Sequence, residues 1–135
     1  MQACAFLGHR DCPEEVKPRI RVAVRELVES CGVEMFYVGD QGRFDALVRS
    51  VLRELGVRYA VVLAYLPTEE GEDTMLPEGI EVVHPRNAIS WRNRWMVQQS
   101  QFAICYVRHT WGGAHRWMEY ARRQGKTIIN LAENE

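Results

Sequence analysis

The chain has 135 residues, the length of one domain, and 47% of them are hydrophobic, enough for a core that needs no disulfide or metal staple. Seventeen basic residues against eighteen acidic ones leave a net charge of -1, so neither sequence-independent nor direct sequence-specific nucleic-acid binding is expected. The longest apolar run, Ala60 to Leu66, is far short of a membrane span. Ala3–Leu7 lacks the basic flank and long apolar stretch of a signal peptide, so a cytoplasmic protein with no membrane partner is expected.

Strand-like and helix-like patterns alternate from end to end. Ala3–Leu7 is a short apolar run stopped by Gly8. Asp11 and Glu14 have capping-box spacing, and Pro18 predicts that the firm helix starts near Lys17. Ile20, Val24, Leu27 and Cys31 share one helical face, and Gly32 ends the helix. Glu34–Val38 reads as a second strand. Phe44, Leu47, Val48, Val51, Leu52 and Leu55 define a second helix closed by Gly56. Arg58–Leu66 is continuously apolar in its centre, which suits a strand buried on both faces. An acidic loop, Pro67–Gly79, precedes a short strand over Ile80–Val83. Ala88–Ser100 reads as a helix, Phe102–Val107 as a strand and His109–Gly113 as a turn. Ala114–Gln124 reads as a helix ended by Gly125, and Thr127–Leu131 as the last strand. The order predicts a single α/β domain over residues 1–135, with a doubly wound, mainly parallel sheet and helices on both faces.

The four cysteines, Cys4, Cys12, Cys31 and Cys105, contain no pair with zinc or redox-motif spacing. Cys4, Cys31 and Cys105 read as small core residues, and Cys12 as an incidental thiol on a loop beside His9. His9, His84, His109 and His115 are not spaced like helical metal ligands, so no metal site and no fixed cofactor are expected.

In a doubly wound sheet, ligands bind outside the carboxyl ends of the strands, where strand order reverses. The loops predicted there are Gly8–Asp11, Gly39–Asp45 and His109–His115. Any one glycine among Gly8, Gly39, Gly42, Gly112 and Gly113 is explained by turn chemistry. Three such loops at one sheet end predict more, because glycine lets backbone N–H groups approach an anion at a helix start. The same loops carry His9, Arg10, Asp11, Asp40, Asp45, His109, Trp111, Ala114 and His115. The expected partner is a small molecule carrying phosphate or carboxylate. The glycine pattern is neither a Rossmann fingerprint nor a Walker loop.

Phe6-Leu-Gly-His-Arg resembles the Gly-His-Arg opening of the YpsA-like branch of the SLOG superfamily. Phe36-Tyr-Val-Gly-Asp-Gln-Gly-Arg-Phe-Asp45 resembles that branch's second glycine loop, and Ile89-Ser-Trp-Arg-Asn-Arg-Trp-Met96 its Arg-Asn-x-x-Met helix. Gly112-Gly113-Ala114, with Glu119-Tyr-Ala and Gly125-Lys126, is similar to its last glycine turn and helix. The resemblance spans nearly the whole chain. It implies a Rossmann-like fold and a nucleotide or nucleotide-derived ligand, held by the loop residues above together with Arg92. Distant relatives include the LOG enzymes, which hydrolyse the N-glycosidic bond of nucleoside 5′-monophosphates, and the Rossmann domain of DprA. By this resemblance Arg92, Met96, Gly112, Gly113 and Glu119 fall on the LOG motifs. Asn93 stands where those motifs have Lys, Trp111 where they have Pro, and His115 and Arg116 where they have Gly and Thr. The resemblance implies a sensor or regulatory binding module. Its alternative is a LOG-like phosphoribohydrolase with Arg92 and Glu119 as catalytic residues. The LOG-like relatives also imply a homodimer, to which Trp91, Trp95 or Trp117 would contribute an aromatic surface.

Overall fold

The computed structural model describes residues 1–65, 74–80 and 83–133. Ten regular elements follow one another among them. These are β1 (Gln2–Gly8), α1 (Lys17–Cys31), β2 (Val33–Val38), α2 (Gly42–Leu55), β3 (Tyr59–Val62) and β4 (Thr74–Met75). After them come α3 (Ala88–Gln99), β5 (Phe102–Tyr106), α4 (Gly112–Arg123) and β6 (Thr127–Asn130). The described strands form one parallel sheet in the order β4-β3-β2-β1-β5-β6. Strand order therefore reverses between β1 and β5, which is the topological switch point of a Rossmann-like fold.

The two-residue alternation of the strands sorts the core into two layers. Cys4, Phe6, Phe36, Val38, Ile104 and Tyr106 pack with Ile20, Val24 and Leu27 of α1 and Phe44, Val48 and Leu52 of α2. Ala3, Ala5, Leu7, Tyr37, Ala103 and Cys105 face the other way, against Met96 and Val97 of α3 and Trp117, Met118 and Ala121 of α4. The small residues Ala3, Ala5 and Ala103 stand where α3 and α4 cross the sheet, and larger rings fill the opposite layer. Beyond the end of β5 the Asn130 side chain continues the pairing. Its Oδ1 accepts from the Val107 N–H at 3.0 Å, and its Nδ2 donates to the Val107 carbonyl at 3.0 Å.

Several details differ from the sequence expectations. The edge strand is Thr74–Met75, inside the segment expected to be a loop. Ile80 and Val83 lie outside the sheet: the Val83 N–H bonds the Ile80 carbonyl, and the Ile80 N–H bonds that of Pro77. Those local turns leave no ladder at either end of the expected Ile80–Val83 strand, while residues 81–82, the last residue of the expected Arg58–Leu66 strand and most of the acidic loop, 67–73, lie outside the described residues. Strand β3 ends earlier than expected, at Val62; the Leu63 N–H still bonds the Met75 carbonyl at 2.8 Å, and the Val62 carbonyl accepts from Arg92 Nη1. No capping box forms at Asp11–Glu14. A turn of 3-10 helix, Glu14–Val16, leads into α1, and Glu14 pairs with Arg43. Cys31 is exposed, since the whole last turn of α1 from Val28 onward lies clear of the sheet. Trp117 is 5% exposed and packs inside the α3–α4 layer, so it is not a dimer-surface residue. Trp95 is half-buried edge-on against Tyr37, and the Trp91 indole N–H donates to the Glu78 carbonyl. No helix among the described residues is long and apolar enough to cross a membrane.

Candidate functional site

The carboxyl end of β1, the start of α2, one face of α3 and the start of α4 surround a cleft of about 270 Å³ at the switch point. Each wall follows from a local rule. From β1 the chain contributes Leu7, Gly8, His9 and Arg10 as it leaves the sheet. Gly8 is required there, because a Cβ would lie 2.8 Å from Phe44 Cε2. From α3 come Ile89, Arg92, Asn93 and Met96, which are spaced three, four and seven apart and so form one helical face. From α4 come Gly113, Ala114 and Trp117, and from the start of α2 come Gln41 and Asp45.

Helices α2 and α4 begin alike. Each has an extended residue, Gln41 or Trp111, followed by a glycine with positive φ, Gly42 at +90° and Gly112 at +89°. Only glycine takes that conformation without strain. No side-chain hydrogen bond caps α4, and its first-turn residues Gly113 and Ala114 line the cleft. The amide groups of such a first turn have no partner inside the helix and favour an anion.

A buried charged cluster forms the floor. Arg92 is 3% exposed; its Nη1 donates to the Val62 carbonyl at 3.1 Å and lies 3.6 Å from Asp40 Oδ1. Its Nε donates to Asn93 Oδ1 at 2.8 Å. Asp45, 7% exposed, accepts the Gln41 N–H at 3.0 Å. Both side chains pass over Gly39, where a Cβ would lie 2.8 Å from Arg92 Cζ and from Asp45 Oδ2. Burial pushes the Asp45 carboxyl up to about 6, against the pull of the Arg92 charge. Burial likewise lowers the pKa of Arg92, opposed by Asp45 and Asp40. The cleft thus holds a carboxyl poised to gain or lose a proton and a fixed guanidinium able to orient hydroxyl or phosphate oxygens.

The rim is aromatic. His9 stacks on His109, with ring centroids 4.2 Å apart, and His109 stacks on Trp111 at 4.0 Å. His9 Nε2 accepts the Arg108 N–H at 2.9 Å, and burial together with His109 and Arg108 lowers the pKa of His9.

Of the residues expected from the sequence, Gly8, His9, Arg10, Asp45, Arg92, Gly113 and Ala114 line the cleft. Gly39, Asp40 and Gly42 support it: the first two bear on Arg92, and Gly42 packs on Arg10. His109, Trp111 and Gly112 belong to the rim. His115 is half-buried and outside the lining, and Arg116 lies over the Trp117 ring. Glu119 does not reach the cleft. It stands two positions beyond Trp117, about 200° around the helix, and pairs with Arg122 at 2.5 Å. Gln41, Ile89 and Trp117 line the cleft without having been expected there. The helical spacing of Ile89 with Arg92, Asn93 and Met96 was the signal for one of them; Trp117 gave none.

No family model matches the chain, and no curated protein does. Among solved structures the chain is similar to the X-ray structure of DNA processing protein A (DprA) from Streptococcus pneumoniae, with a TM-score of 0.70 at 14% sequence identity. The likeness covers 95% of this chain and 49% of that protein, so the chain spans about half its length. At this identity the likeness establishes the Rossmann-like fold.

Proposed function

We propose that residues 1–135 form a single SLOG-like domain that binds a nucleotide or nucleotide-derived ligand in the switch-point cleft, as a sensor or regulatory module. The observation that carries this reading is the convergence of the uncapped α4 start, Arg10 and the Arg92–Asp45 floor on one cleft. The amides and Arg10 suit a phosphate, and Arg92 suits ribose hydroxyls or a second phosphate oxygen. The fold shared with DprA is compatible with a nucleotide-related role. Hydrolysis by the Arg92–Glu119 pair is the weaker reading, because Glu119 points away from the cleft that Arg92 lines.

A thermal-shift screen against nucleoside mono-, di- and triphosphates, NAD, ADP-ribose and cyclic dinucleotides tests the reading. A ligand at 100 times its dissociation constant stabilises by about 2.7 kcal/mol, a shift of several degrees for a chain of this size. Arg10→Ala and Gly113→Trp should each abolish the shift, and mass spectrometry should recover the ligand intact. Shifts that survive both substitutions would refute the site. Released base would replace the binding reading with hydrolysis.

A further inference from the structure

We infer that the ligand is larger than a mononucleotide: one nucleotide unit occupies the cleft, and the base of the next stacks on the outer face of Trp111. This rests on the nucleotide reading above and deepens it.

The argument starts from the rim. Three rings, His9, His109 and Trp111, form a continuous stack, with interplanar angles of 26° and 14°. Of the three, His9 alone lines the cleft, so the stack leads from the cleft wall outward. It ends on Trp111, which is 67% exposed. One face of this indole packs on the His109 ring. His109 Nδ1 lies 3.0 Å from the Trp111 carbonyl, which can only accept, so Nδ1 carries the proton and the ring is locked beside the turn. At the other end, the Arg108 N–H fixes His9. The result is a flat aromatic surface backed by His109 and facing solvent, and base–aromatic stacking is favourable for every base because each has a π-face.

The cleft sets where a second unit would have to lie. Its volume of about 270 Å³ lies just under the roughly 300–1,000 Å³ usual for small-molecule pockets, so a ligand of two nucleotides must extend past the rim. Arg10, at the cleft edge, and Arg108, beside the stack, are exposed and flank that path, where a linking phosphodiester would pass. The stack rings are already in contact at 4.0 and 4.2 Å, so a second base has the outer face of Trp111 rather than a gap between rings.

Calorimetric titration of the full chain with AMP and with the linear dinucleotide pApA tests this. pApA is expected to bind roughly five- to a hundredfold more tightly than AMP, the range base stacking provides. Trp111→Ala should remove that gain, so that the variant binds pApA no more tightly than AMP; Trp111→Phe should keep part of it. A further gain with a hexanucleotide strand would identify single-stranded nucleic acid as the source, and none would identify a free dinucleotide; either supports the inference. Equal affinity for AMP and pApA, or a gain that survives Trp111→Ala, would overturn it while leaving the cleft reading intact. If neither compound binds, the inference falls, and the nucleotide reading is decided by the wider thermal-shift panel.

Discussion

Replacing Asp45 by Asn should make the protein more stable at neutral pH and worse at binding. The carboxyl is 7% exposed, and burial raises it from the ordinary 3.8 to about 6. The sign follows from proton linkage. Below pH 3.8 folded and unfolded chains both hold the proton. Between 3.8 and about 6 the unfolded chain releases it and the folded chain keeps it. Above about 6 both are ionised, and the folded state carries the whole desolvation penalty. At ~1.4 kcal/mol for each tenfold change in proton affinity, the penalty is on the order of 3 kcal/mol. Asn keeps an oxygen to accept the Gln41 N–H but carries no charge. Arg92 does not become an orphan, because Asp40 and the Val62 carbonyl still engage it. Urea unfolding followed by circular dichroism should find Asp45→Asn more stable than the parent by up to about 3 kcal/mol at pH 7.5, or roughly 10 °C in Tm. At pH 4 the difference should nearly vanish. A variant less stable than the parent at pH 7.5 would refute the reasoning, since the Arg92 attraction would then outweigh burial. Stabilisation with loss of binding is the signature of a group kept for function rather than for folding.

Gly39→Ala should push Arg92 and Asp45 apart and destabilise by about 1–3 kcal/mol, with loss of any ligand-induced thermal shift; unchanged stability would show that the floor has room to spare. Gly8→Ala should destabilise by a similar ~1–3 kcal/mol through overlap with the Phe44 ring, measured by urea unfolding. Asn130→Ala leaves both Val107 backbone groups without their side-chain partner and should cost about 1–3 kcal/mol, with faster amide exchange at Val107. His9 has a lowered pKa, so the unfolded chain takes up a proton that the folded chain resists. The parent should therefore lose stability relative to His9→Gln as pH falls below about 6.5, the ordinary value, and a pH-independent difference would contradict this.

The fold was legible where the chain punctuates itself. Gly32 and Gly56 end α1 and α2 in left-handed conformations, and the apolar runs of β1 and β5 announce burial on both faces. The edge strand Thr74–Met75 was not legible, because two residues have no period and their pairing is set by β3. Cys31 kept the spacing of a core face, but spacing cannot tell where a helix outruns its sheet. At the candidate site, the glycine loops were visible in the chain, and Arg92 stood out through the family resemblance. The meeting of Arg92 and Asp45 over Gly39 could not, because it joins α3 to α2 across the sheet end. Trp117, a dimer-surface candidate by the family resemblance, is turned inward by the face it shares with Gly113 and Ala114.

The cleft walls come from both helix layers: Asp45 belongs to α2 on one side of the sheet, and Arg92, Gly113 and Ala114 to α3 and α4 on the other. Any molecule that touches all of them would act as a clamp across the edge of the sheet. Its arrival would add a mechanical tie between two layers that the strands and the meeting of Arg92 with Asp40 and Asp45 already join. That gives a bound small molecule a route to alter the outer surfaces of α2 and α4 together, without any hinge in the chain.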